Sequence, residues 1–109
     1  MTFIMDVDFK EKKEIWYFTP KGDLDIYTCD EFKERVLKAY RSRKSDIEIN
    51  GKDLDYVDST GLGVLISILK EVREDKYNIY ISDVKPNIRK IFDITKLDKL
   101  FIFRSEDDE

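Results

Sequence analysis

Apolar and polar positions alternate over residues 3–9, where Phe3, Met5, Val7 and Phe9 are separated by polar residues apart from Ile4. Residues 15–19 are again β-branched and aromatic. The two stretches predict a pair of strands, with the charged run Lys10-Glu-Lys-Lys-Glu14 as the solvated hairpin loop between them. After Pro20, the segment Lys21-Gly-Asp-Leu-Asp-Ile26 predicts a turn and connection. The period then changes. Cys29, Phe32, Val36, Ala39 and Tyr40 fall on one face of a helix, and Thr28 with Glu31 three residues later has the spacing of a capping box that would open it. That helix runs out in the basic Arg41-Ser-Arg-Lys44.

Ile47 and Ile49 predict a short strand over residues 46–50, which delivers the chain through Leu54 and Val57 to Asp58 and Ser59. Behind that junction lies a second helix. Its core stripe is Leu62, Leu65, Ile66, Leu69 and Val72, widened by Val64 and Ile68, with Ser67, Lys70, Arg73 and Glu74 on the wet side. Over residues 77–82 Ile79 and Ile81 alternate with Asn78 and Tyr80, a further strand. Pro86 suits the first turn of a third helix whose inward residues are Ile88, Ile91 and Phe92. Leu97 and Leu100 predict one more helical turn, and Phe101-Ile-Phe103 a strand that closes the sheet. Strands separated by helices predict an α/β domain: a mixed, mostly parallel sheet with an antiparallel N-terminal hairpin and helices packed against it. Residues 1–109 are expected to form that single domain, frayed at residues 1–2 and at the acidic residues 105–109.

Composition narrows the chemistry. With 109 residues and 41% hydrophobic content, the chain builds one modest core. It has no apolar run near the ~20 residues of a membrane span and no signal-peptide pattern, so a soluble cytoplasmic protein is expected. Cys29 is the only cysteine, which excludes an intrachain disulfide, and its place on an apolar stripe predicts a buried thiol. Histidine is absent, which removes the usual general base and the commonest metal ligand and argues against an enzyme. Asp23 and Asp25 read as loop and capping residues, so no metal is expected. The net charge of −4, and aromatics scattered at core spacing without the basic interleaving that a single-strand-binding surface needs, speak against direct nucleic-acid binding.

The most unusual run is Asp58-Ser-Thr-Gly-Leu-Gly63 at the strand-to-helix junction. Asp58 or Ser59 can cap the helix, and plain capping alone would account for the hydroxyls of Ser59 and Thr60. Gly61 and Gly63 are poor helix formers, and their small size would let another backbone or another molecule come close to the first turn and reach the hydroxyls of Ser59 and Thr60. Together with Gly22-Asp-Leu-Asp25 before the first helix and the stretch over residues 86–100, this run resembles the STAS domain of the bacterial anti-sigma-factor antagonists. Thr60 stands where many members carry a second serine. The resemblance covers nearly the whole chain and implies a regulatory binding module without a cofactor. It implies that Ser59 is phosphorylated by an anti-sigma factor that is also a serine kinase. A metal-dependent serine phosphatase would reverse the modification, and the unphosphorylated form would bind the kinase and free the sigma factor. Asp23, Asp25, Asp58, Thr60, Gly61, Leu62 and Gly63 would then form the partner surface. Two other roles share the fold: a STAS subunit of a transporter or stress-signalling assembly, and a nucleotide-binding STAS domain. The chain has no Gly-x-x-x-x-Gly-Lys-Ser/Thr loop, which counts against the last.

Overall fold

The charged loop after Lys10 lets the chain double back, so that β1 (Met5–Lys10) and β2 (Ile15–Pro20) pair antiparallel from Met5 opposite Pro20 to Lys10 opposite Ile15. The structure is a computed structural model that describes residues 3–104; the ends expected to fray, residues 1–2 and 105–109, lie outside them. The next elements are β3 (Gly22–Leu24), α1 (Cys29–Ser42), β4 (Asp46–Asn50), β5 (Leu54–Val57) and α2 (Ser59–Glu74). Then come β6 (Ile79–Ser82), α3 (Pro86–Ile94), a 3₁₀ turn (Leu97–Lys99) and β7 (Ile102–Arg104). Helices between strands permit parallel pairing, and the main sheet is five-stranded in the order β1-β2-β4-β6-β7 with only the β1–β2 pair antiparallel. The expected mixed, mostly parallel sheet with an N-terminal hairpin is what forms.

Strand alternation sends two sets of side chains to opposite faces. Phe18, Ile47, Ile49, Ile79 and Ile81 join Phe32, Val36 and Tyr40 of α1, Leu65, Ile68 and Val72 of α2, and Ile88 and Phe92 of α3 in one buried core. On the opposite face the register aligns Tyr17, Glu48 and Tyr80. There the buried Glu48 carboxylate accepts from the Ser82 hydroxyl at 2.8 Å and from Arg104 Nε at 3.0 Å, which fastens β7 across the intervening strand.

Two expectations are corrected. The segment read as a turn and connection over residues 21–26 contains β3, which pairs parallel with β5 in a separate two-stranded sheet. The strand expected over residues 46–50 forms as β4, and the stretch through Leu54 and Val57, read only as the path to Asp58, is a strand of its own, β5, in the other sheet. A tight turn at Gly51, whose N–H donates to Ser82 O at 2.7 Å and whose carbonyl accepts from Leu54 N at 3.1 Å, drops the chain from one sheet to the other. The small sheet holds the start of α2.

Candidate functional site

Asp58 is the residue that caps α2: its side chain accepts the Gly61 N–H at 2.9 Å, with an extended backbone at φ −100° and ψ −173°. Ser59 is therefore the first helical residue and not the cap. Its hydroxyl and that of Thr60 are exposed, and neither bonds to another described residue. Plain capping does not account for either.

The β3–β5 pairing sets what surrounds them. The Asp58 N–H donates to Leu24 O at 3.2 Å, which seats the first turn of α2 against β3. A Cβ on Gly61 would lie 2.5 Å from Leu24 O and 2.9 Å from Val57 Cγ1, whereas one on Gly63 would meet nothing within 4 Å. The expectation that both glycines clear an approach to Ser59 is corrected accordingly. Gly61 is buried and exists for packing; Gly63 is exposed and lies four residues after Ser59, on the same helix face. Leu62 is buried as well and supports this surface from beneath.

The loop from β3 to α1 stands beside this turn. Asp25 Oδ1 accepts the Tyr27 N–H at 2.9 Å, and Asp25 O accepts the Cys29 N–H at 2.9 Å, so this aspartate shapes the turn into α1. The expected capping box does not form, because the Thr28 hydroxyl donates to Asp23 O at 2.7 Å and accepts from Asp25 N at 3.1 Å instead. Thr28 thus ties the loop back to β3. Asp23 is exposed, and with Asp25, Ile4, Lys21, Tyr27 and Asp55 it lines a groove of about 430 Å³. At its edge Lys85 pairs with Asp55 at 2.5 Å, tying the start of α3 to β5.

Cys29 shows how closely the loop and the cap converge. Burial first, then the charges of Asp58, Asp25 and Asp30, push its thiol up to about 11, so it stays protonated and unreactive at neutral pH. The expectation of a packed thiol holds. The same convergence brings Asp25 and Asp58 around one side chain.

Sequence reasoning missed Ile26 and Tyr27, which are 69% and 85% exposed at the tip of this loop. The available signal was two large apolar residues inside an otherwise polar turn, Asp25-Ile-Tyr-Thr28. Among the described residues no group of three or more His, Cys, Asp or Glu side chains could hold a metal ion, and no helix is long and apolar enough to cross a membrane.

A hydroxyl free at the head of a capped helix, on a small sheet that exists to seat it, is matched by a wider likeness. The STAS domain model matches residues 6–109. The chain belongs to the STAS domain family. An anti-sigma-B factor antagonist of Staphylococcus epidermidis is 37% identical to this STAS domain over 79 residues, covering 72% of this chain and 73% of that protein. The crystal structure of a candidate anti-sigma factor antagonist from Thermotoga maritima is similar with a TM-score of 0.85 at 19% identity, over 95% of this chain and 89% of that one. The Bacillus cell-fate determinant SpoIIAA in its phosphorylated form gives a TM-score of 0.70 at 18% identity, over 98% and 95% of the two chains. At those identities the structures speak for a shared fold.

Proposed function

We propose that this STAS domain, acting as a single cytoplasmic domain, is an anti-sigma-factor antagonist. Its unphosphorylated form binds an anti-sigma factor serine kinase and thereby releases the sigma factor; phosphorylation of Ser59 by that kinase ends the binding, and a serine phosphatase restores it. The observation that carries this reading is the division of labour at the head of α2. Asp58 does the capping, and the next residue presents an exposed hydroxyl with no structural duty. The name of the staphylococcal relative supports the antagonist role.

The chemistry asks little of this chain. Ser59 Oγ attacks the γ-phosphorus of ATP, the Oγ–P bond forms as the bond to the β–γ bridging oxygen breaks, ADP leaves, and the hydroxyl proton passes to a base of the kinase. The product adds about −1.5 to −2 charge at a helix N-terminus, where the dipole favours an anion, so α2 keeps its fold. The cost falls on the interface. A dianion set where the kinase packs against Asp58, Thr60 and Gly63, with Asp23 and Asp25 on the adjoining loop, adds desolvation and like-charge repulsion. Each ~1.4 kcal/mol of penalty weakens binding tenfold.

The test is incubation with the kinase and ATP, followed by mass spectrometry to locate the phosphate. Ser59→Ala should take up none, and since Asp58 holds the cap its unfolding free energy should stay within about 0.5 kcal/mol of the parent. Undiminished incorporation into that variant would move the acceptor to Thr60.

A further inference from the structure

One residue of α2 departs from the expected pattern. Ile66, assigned to the core stripe by periodicity, is only half-buried, while Ile68 is fully enclosed. Helical geometry explains the exchange: at 100° per residue Ile68 points with Leu65 and Val72 towards the sheet, and Ile66 points with Ser59, Gly63, Lys70 and Arg73 to the outer face. A large apolar side chain thus interrupts a solvated stripe that begins at the proposed phosphorylation site. Ile66 is not isolated there. With Leu69, Lys70, Arg73, Glu74 and Leu100 it lines a groove of about 490 Å³ between α2 and the residue that follows the 3₁₀ turn. Arg73 Nη2 donates to Leu100 O at 3.2 Å and holds that wall in place, leaving the Leu100 side chain 37% exposed. Lys70 is exposed and makes no ion pair with another described residue, an unspent cation on a chain of net charge −4.

We infer that this groove is a second half of the kinase-docking surface, and that it takes an apolar side chain of the kinase flanked by a carboxylate that pairs with Lys70. The inference rests on the proposed binding of the kinase at Ser59 and extends it along α2. Size and charge argue for that occupant. A specific complex covers about 800 Å² on each partner, more than the head of one helix offers, and the stripe from Ser59 to Arg73 runs about 21 Å at 1.5 Å per residue. The end of this stripe near Ser59 is bordered by Asp58, and the groove at its far end carries two cations, Lys70 and Arg73, against the one carboxylate of Glu74, a net positive charge. A partner lying along α2 therefore meets opposite charges at its two ends, which fixes its direction as well as its position. Gly63 lies between the two ends with no side chain to lift the partner away.

The experiment measures kinase binding by titration calorimetry, and phosphorylation of Ser59 under steady-state conditions, for the parent, Lys70→Glu and Leu100→Asn. Lys70 is exposed and makes no ion pair with another described residue, so its variant should fold; both variants are checked by thermal unfolding. The expected result is an affinity weakened at least about fivefold in each, with KM for phosphorylation raised to match and kcat unchanged, because Ser59 and its surroundings are intact. The Lys70→Glu loss should shrink at high salt. Parent-like Kd and KM in both variants, with the parent binding and phosphorylated at Ser59, would overturn the groove alone. A parent chain that neither binds nor accepts phosphate would overturn the reading it rests on, and the groove with it.

Discussion

At Gly61 a methyl group would press on Leu24 O from 2.5 Å, and at Gly63 it would find open space, although both residues sit in the opening turns of one helix. Helix propensity favours alanine over glycine at both positions by about 1 kcal/mol. At Gly61 overpacking should outweigh that gain, because the atom in the way is a backbone carbonyl that already bonds to Asp58 N, and overpacking costs about 1–3 kcal/mol. Urea unfolding should therefore show Gly61→Ala less stable than the parent and Gly63→Ala equal or more stable. Gly63→Leu should keep the fold and lose the kinase, since its side chain would stand beside Ser59. A Gly61→Ala protein as stable as the parent would show that β3 yields, and the packing account of this glycine would fail. From the sequence the two glycines look alike. What separates them is a contact between β3 and α2 that no local pattern encodes, whereas the strand-to-helix junction and the hydroxyl at Ser59 are legible directly.

Elements are joined here by polar contacts that carry a pH dependence. Between α1 and α2, Arg41 binds Glu71 through two bonds of 2.7 Å, and Asp75 accepts from the Tyr40 hydroxyl at 2.5 Å and from Lys44 at 3.3 Å. The Arg41 hydrogen bonds, against some burial, hold the Glu71 carboxyl below its ordinary value, and the Tyr40 hydroxyl, then Lys44, does the same for Asp75. Burial first, and Asp75 second, push the Tyr40 phenol upward. A carboxyl whose folded pKa is depressed stabilises fully above its unfolded value, about 4, and that stability is lost as pH falls below it. A phenol whose folded pKa is raised stabilises fully below its unfolded value of about 10 and loses that contribution as pH rises beyond it. The melting temperature should therefore fall on both flanks, below about pH 4 and above about pH 10. The gap between parent and Asp75→Asn should narrow as pH drops through the acid flank; a gap of the same size at pH 7 and pH 3 would remove Asp75 as a cause. Such pairs lie thirty or more residues apart and leave no trace in periodicity. Long elements with strong periods, α1, α2 and the β1–β2 hairpin, were readable. β3 was not, because its three residues, Gly22–Leu24, are too short to show a period and carry turn chemistry. β5 was not read as a strand for a similar reason: its four residues carry only two apolar core positions, Leu54 and Val57.

On the scale of the whole molecule the proposed switch would change charge at one end and leave the rest of the fold alone. The resemblance to the antagonists rested on several weak pieces that the fold gathers together, since Asp23 and Asp25 precede Ser59 by more than thirty residues and reach its neighbourhood only through β3–β5 pairing. The outer groove of α2 had no such motif to announce it, and Ile66 was assigned to the core. The chain carries a net charge of −4, and a phosphate on Ser59 would add about −1.5 to −2 more at a place already bordered by aspartates. Long-range steering towards the proposed kinase, whose active site receives an anionic nucleotide, would change modestly, whereas the docked interface would have to absorb a desolvated dianion. The loss of affinity on phosphorylation should therefore appear chiefly as faster dissociation. Ser59→Asp carries one negative charge and lacks the third oxygen, so its effect should have the same sign and a smaller size, and Ser59→Ala should stay bound. Circular dichroism and melting temperature should hardly move among the three, because the anion lies at a helix N-terminus. Binding kinetics on the parent, the phosphorylated protein and the two variants would decide the matter. Equal affinity of the phosphorylated and unphosphorylated forms, both folded, would leave Ser59 no route to sigma-factor release.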